Sequence, residues 1–206
     1  MFTPPSPPHA ANRNAAERSF LETTRFDRVI SLGENCGCAN YLRAFYLRDA
    51  AYPFDWLGGA AFKRRVELIL NDFLGFLEKD NLEKVGTHEN GDIYKDKNIG
   101  LISPHDFSKG AILDRAYPEV IKKYQRRIKR LYSTVNEVKY VLFVWWGFTG
   151  ENISDEDIID TQERLSRKFN KNIYLLIIQN NNASDKIEER CLGKFIIKII
   201  AHINNG

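Results

Sequence analysis

"FDRVISLGENCGCANYLRAF", residues 26–45, holds the change of period that decides the fold. "FDRVISLG" is an apolar run closed by Gly33, the pattern of a buried strand. Ala39, Leu42 and Phe45 or Tyr46 then recur at helical spacing through Leu47. A strand that turns sharply into a helix is the opening of an α/β unit. Two cysteines, Cys36 and Cys38, stand at the join.

The same alternation continues along the chain. "KYVLFVWW" (139–146) and "NIYLLII" (172–178) read as buried strands. "FKRRVELILNDFLGFLE" (62–78), "YPEVIKKYQRRIKRLYSTV" (117–135) and "DEDIIDTQERLSRKF" (155–169) read as helices, with Pro118 in a first turn and Ser154 as an N-cap. "YPFDWLGG" (52–59) is an aromatic loop. "DIYKDKNIGLI" (92–102) is a hairpin that turns at "KDKN", followed by "SPHDF" (103–107) as a loop. "CLGKFIIKIIAHINNG" (191–206) fits helix or strand equally well. Strands with unbroken apolar runs between helices predict a three-layer α/β fold. It is a mostly parallel sheet with helices on both faces, plus a small β-hairpin insertion. Chemistry in such sheets sits at the carboxyl ends of the strands.

The 206 residues suffice for one domain with a real core, here 18–206, preceded by a Pro- and Asn-rich arm at 1–17 that is expected to be disordered. Charged residues make up 28% and the net charge is only +3, which by itself gives no reason to expect a nucleic-acid or membrane partner. The third cysteine, Cys191, makes an odd count without framework spacing. That pattern, together with a start lacking a basic and apolar leader, predicts a cytoplasmic protein in a reducing compartment.

A cysteine that opens a helix meets free backbone N–H groups and the positive end of the helix dipole, both of which favour a thiolate. The N–H groups of Cys36 and Gly37, with the Asn35 amide, form a candidate oxyanion hole, and Gly37 leaves room for a substrate backbone. Against this stands the alternative that Cys36 is a small residue packed in a crowded turn. Cys38, about 200° further round the helix, points elsewhere and packs. Of four histidines, His105 in "SPHDF" is the best base, since Pro104 and Phe107 fix its backbone. Asp106 is too close in sequence to orient it, which leaves Asp55, between Phe54 and Trp56, as the third member. A loop histidine and a turn-capping aspartate are the plainer readings of His105 and Asp55. No phosphate loop, Cys-x5-Arg from Cys36, or HExxH helix is present, so neither a cofactor nor a metal is expected. "KKYQRRIKR" reads as a solvated helix face.

Taken in order, "VISLGENCGCANYLRAFYLRDAAYPFDWL", "SPHDF" and "YQRRIKRLY…KYVLFVWW" resemble a bacterial family described as papain-like cysteine peptidases, DUF1796, over roughly residues 27 to 180. The resemblance implies Cys36 as nucleophile, His105 as base and an acidic residue as orienter. Two features depart from it: Trp145 and Trp146 end a strand where a polar residue is expected, and the segment after about 183 is divergent or truncated. Papain-like folds pair a helical half with a β-barrel half, whereas the pattern here predicts a parallel sheet.

The function expected is therefore a cysteine-dependent hydrolase or acyltransferase acting on a small-molecule, peptide or glycan substrate. The alternatives are a non-catalytic binding module with Trp56, Trp145 and Trp146 lining the same pocket, and a glycan-modifying transferase.

Overall fold

The computed structural model describes residues 24–89, 91–181 and 186–202. The expected disordered arm, 1–17, lies outside these residues. Strand β1 (Arg28–Ser31) pairs in parallel with β6 (Val141–Gly147), which pairs in parallel with β7 (Ile173–Asn180), and that in turn with β9 (Ile196–Ala201). Strand β8 (Glu188–Cys191) closes the far edge antiparallel to β9, giving the order β1-β6-β7-β9-β8. The tail that fitted helix or strand equally well is thus strand and loop, and it extends the sheet.

Helix α1 (Cys36–Ala44) lies on one face, where Cys38 and Leu42 join Val29 and Val144 in a small core. Helices α2 (Phe62–Leu70), α3 (Leu113–Glu137) and α4 (Asp155–Phe169) contribute to a much larger core on the other face, built on Ile30, Phe143, Trp145, Leu175 and Ile177. The architecture is the expected α/β fold with a mostly parallel sheet and helices on both faces. Helix α4 has complete end signals. Ser154 Oγ accepts from Asp157 N, Asp155, Glu156 and Asp157 occupy the first turn, and Asn170 takes the left-handed conformation just past the end.

Three elements differ from the sequence pattern. Helix α2 stops at Leu70 although the apolar spacing runs on to Leu77. Asp72, Phe73, Gly75 and Leu77 all have positive φ, and the chain winds through turns that still bury Phe73, Phe76 and Leu77. Asp96 Oδ2 accepts from Leu77 N and fixes the end of this stretch. Helix α3 starts four residues early, so Pro118 lies in its second turn and costs one ladder bond. Finally, "SPHDF" is no loop. It forms the second half of β5 (Leu101–Phe107), and the expected hairpin grows into a four-stranded antiparallel sheet with β2 (Gly58–Gly59), β4 (Gly91–Asp96) and β3 (Leu82–His88), in the order β2-β5-β4-β3. The β4–β5 register slips between Tyr94↔Ser103 and Asp92↔Phe107. Pro104, which has no N–H to give to a ladder, sits in that slip.

Candidate active site

The turn after β1 is built tightly. Leu32 N donates to Val144 O (2.7 Å) and Glu34 N to Trp146 O (3.2 Å), so β1 follows β6 to its carboxyl end. A Cβ on Gly33 would lie 2.3 Å from Cys38 Cβ, so only glycine fits there. Glu34 folds over the end of β6, its Oε2 accepting from Phe148 N (2.6 Å) and Thr149 N (3.1 Å). Asn35 then caps α1, its Oδ1 accepting from Gly37 N (2.8 Å).

Cys36 is thus the first residue of α1, partly exposed at the carboxyl end of the parallel sheet. Its own N–H has no hydrogen-bond partner among the described residues. The Gly37 N–H is engaged by Asn35, so of the two expected backbone oxyanion donors only Cys36 N is open. The room left at Gly37 is also used: a Cβ there would lie 3.1 Å from the Phe148 ring. Cys38 is 2% exposed, with Sγ 3.7 Å from Val144 O, and burial pushes its thiol up to about 11.

His105 is exposed on β5, its ring edge-on to Trp56 (centroids 6.3 Å) and to His88 (5.7 Å). Among the described residues no hydrogen bond joins its ring to Cys36 Sγ or to Asp55. Asp55 is fully buried and accepts from Tyr52 N and Arg48 Nε, both at 2.8 Å. Burial raises its carboxyl above the ordinary range, opposed by those two donors and by Arg127. The Arg48 guanidinium lies 5.3 Å over the Trp56 ring, so Asp55, Arg48, Trp56 and His105 form a chain of contacts. Asp106 is taken by Ser103, Lys123 and Tyr124.

The three tryptophans do not share a pocket. Adjacent strand residues face opposite ways. Trp145 is 0% exposed in the large core against Phe62 and Arg65, which removes it from the expected substrate lining. Trp146 lies on the other face against Tyr41 and Phe148, and Trp56 stands apart beside His105.

Sequence reasoning missed the residue that ties these parts together. Arg65, 0% exposed, donates to the carbonyls of Leu32, Glu34, Leu57, Gly59 and Ala60 at 2.6–3.4 Å. It fastens the Cys36 turn to the loop that carries Asp55 and Trp56. Burial works against its charge, while the carboxylates of Glu34 and Glu151 favour it. The signal was present, since Arg65 occupies the buried stripe 62, 65, 66, 69 of α2. Gly-Glu-Asn also occurs twice, at 33–35 and 150–152, after the neighbouring strands β1 and β6. Glu151 Oε2 accepts from Phe62 N (3.1 Å) at the start of α2, and burial raises its carboxyl, helped by Glu34. Among the described residues no cluster of three or more His, Cys, Asp or Glu could hold a metal.

A family model described as "Putative papain-like cysteine peptidase (DUF1796)" matches residues 27–182. The chain belongs to this family. No curated protein and no solved structure matches it. The DUF1796 span takes in Cys36, Asp55 and His105 and ends just past β7, so β8 and β9 lie beyond it. The parallel sheet of this DUF1796 chain differs from the two-part architecture that the term papain-like implies. Among the described residues, no helix is long and apolar enough to cross a membrane.

Proposed function

We propose that this DUF1796 protein is a cysteine-dependent hydrolase with Cys36 as its nucleophile. The observation that carries the reading is the place of Cys36: a partly exposed thiol at the first position of a helix, beside an unengaged backbone N–H, where the parallel strands end. The family description supports the same class. In the reaction, Cys36 Sγ attacks the substrate carbonyl carbon while His105 accepts the thiol proton, and the Cys36 N–H and the Asn35 amide nitrogen stabilise the oxyanion. His105 returns the proton to the leaving amine or alkoxide. It then takes a proton from the water that hydrolyses the acyl-enzyme.

The scheme requires His105 to close on Cys36 when substrate binds, as catalytic hydrogen bonds that are long in the free enzyme do. Asp55 is a positioning residue in this scheme and acts through Arg48 and Trp56. Trp56 offers the substrate an aromatic wall next to the base. The binding-module alternative loses its main support with the dispersal of the three tryptophans.

Labelling with thiol-directed acyl probes, mapped by mass spectrometry, tests the proposal. Label is expected on Cys36, absent in Cys36→Ala and strongly slowed in His105→Ala. Uniform labelling of the three cysteines, or a rate indifferent to His105, would overturn it.

A further inference from the structure

Beside His105 the fold gathers more cations than carboxylates. Arg48 lies in the connection between α1 and the loop of Asp55 and Trp56, and its side chain is only 11% exposed. Its Nε donates to Asp55 Oδ2, while Nη1 and Nη2 have no hydrogen-bond partner among the described residues and reach solvent. Asp55 also feels the charge of Arg127 on α3, whose guanidinium lies 5.2 Å over the Tyr124 ring. Tyr124 in turn donates to Asp106, which pairs with Lys123. Three cations, Arg48, Arg127 and Lys123, therefore share two carboxylates, Asp55 and Asp106, whose side chains are 0% and 2% exposed. Asp49, next to Arg48 in the chain, is paired with Arg28 at 2.7 Å.

A charge held largely out of water is costly unless an opposite charge meets it. Asp55 occupies the Nε side of the Arg48 guanidinium and leaves its end free, where Nη1 and Nη2 present two N–H donors in the geometry that suits a carboxylate or phosphate. The bond to Asp55 also fixes the orientation of the guanidinium, so little order has to be gained when a ligand arrives. An aromatic surface adjoins it. The Arg48 guanidinium lies 5.3 Å over the partly exposed Trp56 ring, and the same ring meets the exposed His105.

We propose that Arg48 and Trp56 form an anion-binding subsite, in which the free end of the guanidinium binds a carboxylate or phosphate group and the Trp56 ring packs against the apolar part of the ligand next to it. Together with the assignment of Cys36 and His105 above, on which this step rests, the subsite makes the substrate an acidic one. Its charge is held by Arg48 and its scissile bond lies toward His105.

The test is calorimetric titration of the full chain with benzoylglycine, with its uncharged amide and with phenyl phosphate. At least one of the two anions is expected to bind about tenfold more tightly than the amide, because its hydrogen bonds to the guanidinium are charge-assisted. The tighter anion names the group, carboxylate or phosphate. Arg48→Lys keeps the charge and a partner for Asp55 but loses the paired donors, and should weaken anion binding at least about fivefold. Circular dichroism checks that this variant is folded. If it is not, Trp56→Leu replaces it and must still weaken binding. Equal affinity for the anions and the amide, or anion binding indifferent to both substitutions, would overturn the proposal. The titration involves no turnover, so it fails separately from the labelling of Cys36: loss of the nucleophile assignment leaves the subsite standing, and loss of the subsite leaves the nucleophile.

Discussion

Replacing Arg65 with methionine tests the tie between the Cys36 turn and the Asp55 loop. Methionine fills much of the same volume and ends the cost of burying a cation, but it leaves five carbonyls without their donor. The bonds to Leu32 O and Leu57 O are buried, so water cannot replace them without opening the structure. An unsatisfied buried acceptor costs about 1–3 kcal/mol, so these two alone put the loss at roughly 2–6 kcal/mol. At about 2–4 °C per kcal/mol for a domain of this size, melting should fall by roughly 4–24 °C. Arg65→Lys keeps the charge but not the planar fork that reaches carbonyls on three sides, and it should lose at least half as much. The assay is thermal unfolding by circular dichroism, paired with the alkylation rate of Cys36 below the melt, which should change as the turn loosens. If Arg65→Met melts within about 2 °C of the parent, the carbonyl cage is not what joins the two segments, and the reasoning fails.

Three further outcomes are expected. Cys38→Ser buries a hydroxyl at a 2%-exposed position and should cost about 1–3 kcal/mol, whereas Cys36→Ser should melt within about 2 °C of the parent; the reverse order in side-by-side melts would make Cys36 the packed cysteine. At pH 8 iodoacetamide should modify Cys36 well before Cys38, whose buried thiol is held up to about 11; equal rates would contradict the packing of α1 on the sheet. The Glu151 carboxyl is raised by burial in the folded state, so the fold binds its proton more tightly than the unfolded chain does, and this group costs stability as pH rises through and above its ordinary value of about 4.5. Glu151→Gln keeps an acceptor for Phe62 N and should raise melting at pH 7 relative to pH 4; an unchanged difference between the two pH values would refute it.

The parallel strands were legible because each is an apolar run of strand length, and α1 because the 39, 42 spacing after Gly33 marks its face. Pro104 and the charged "HDF" made half of β5 look like a loop, since a strand at a register slip does not alternate cleanly. The premature end of α2 was hidden for the opposite reason: turns buried Phe73, Phe76 and Leu77 at intervals that mimic a helix. The place of Cys36 at the first position of a helix could be found from the strand-to-helix change of period alone. Arg65 could not be distinguished from its solvated neighbours Lys63 and Arg64 without asking what an arginine does on a buried stripe. The grouping of the tryptophans failed on strand parity, because Trp145 and Trp146, being adjacent, had to part to opposite faces.

The order of the sheet separates two kinds of change. Cys36 and the residues that hold its turn stand at the β1 and β6 end, whereas β9 and β8 are added beyond β7, outside the span that the family model matches. Changes at that distant margin bear on how firmly the sheet is held, through contacts such as Lys198 Nζ to Ile153 O and Asp155 Oδ1 in the segment after β6. Variation at the margin therefore bears on stability, and variation at the β1–β6 junction on the geometry of the Cys36 turn.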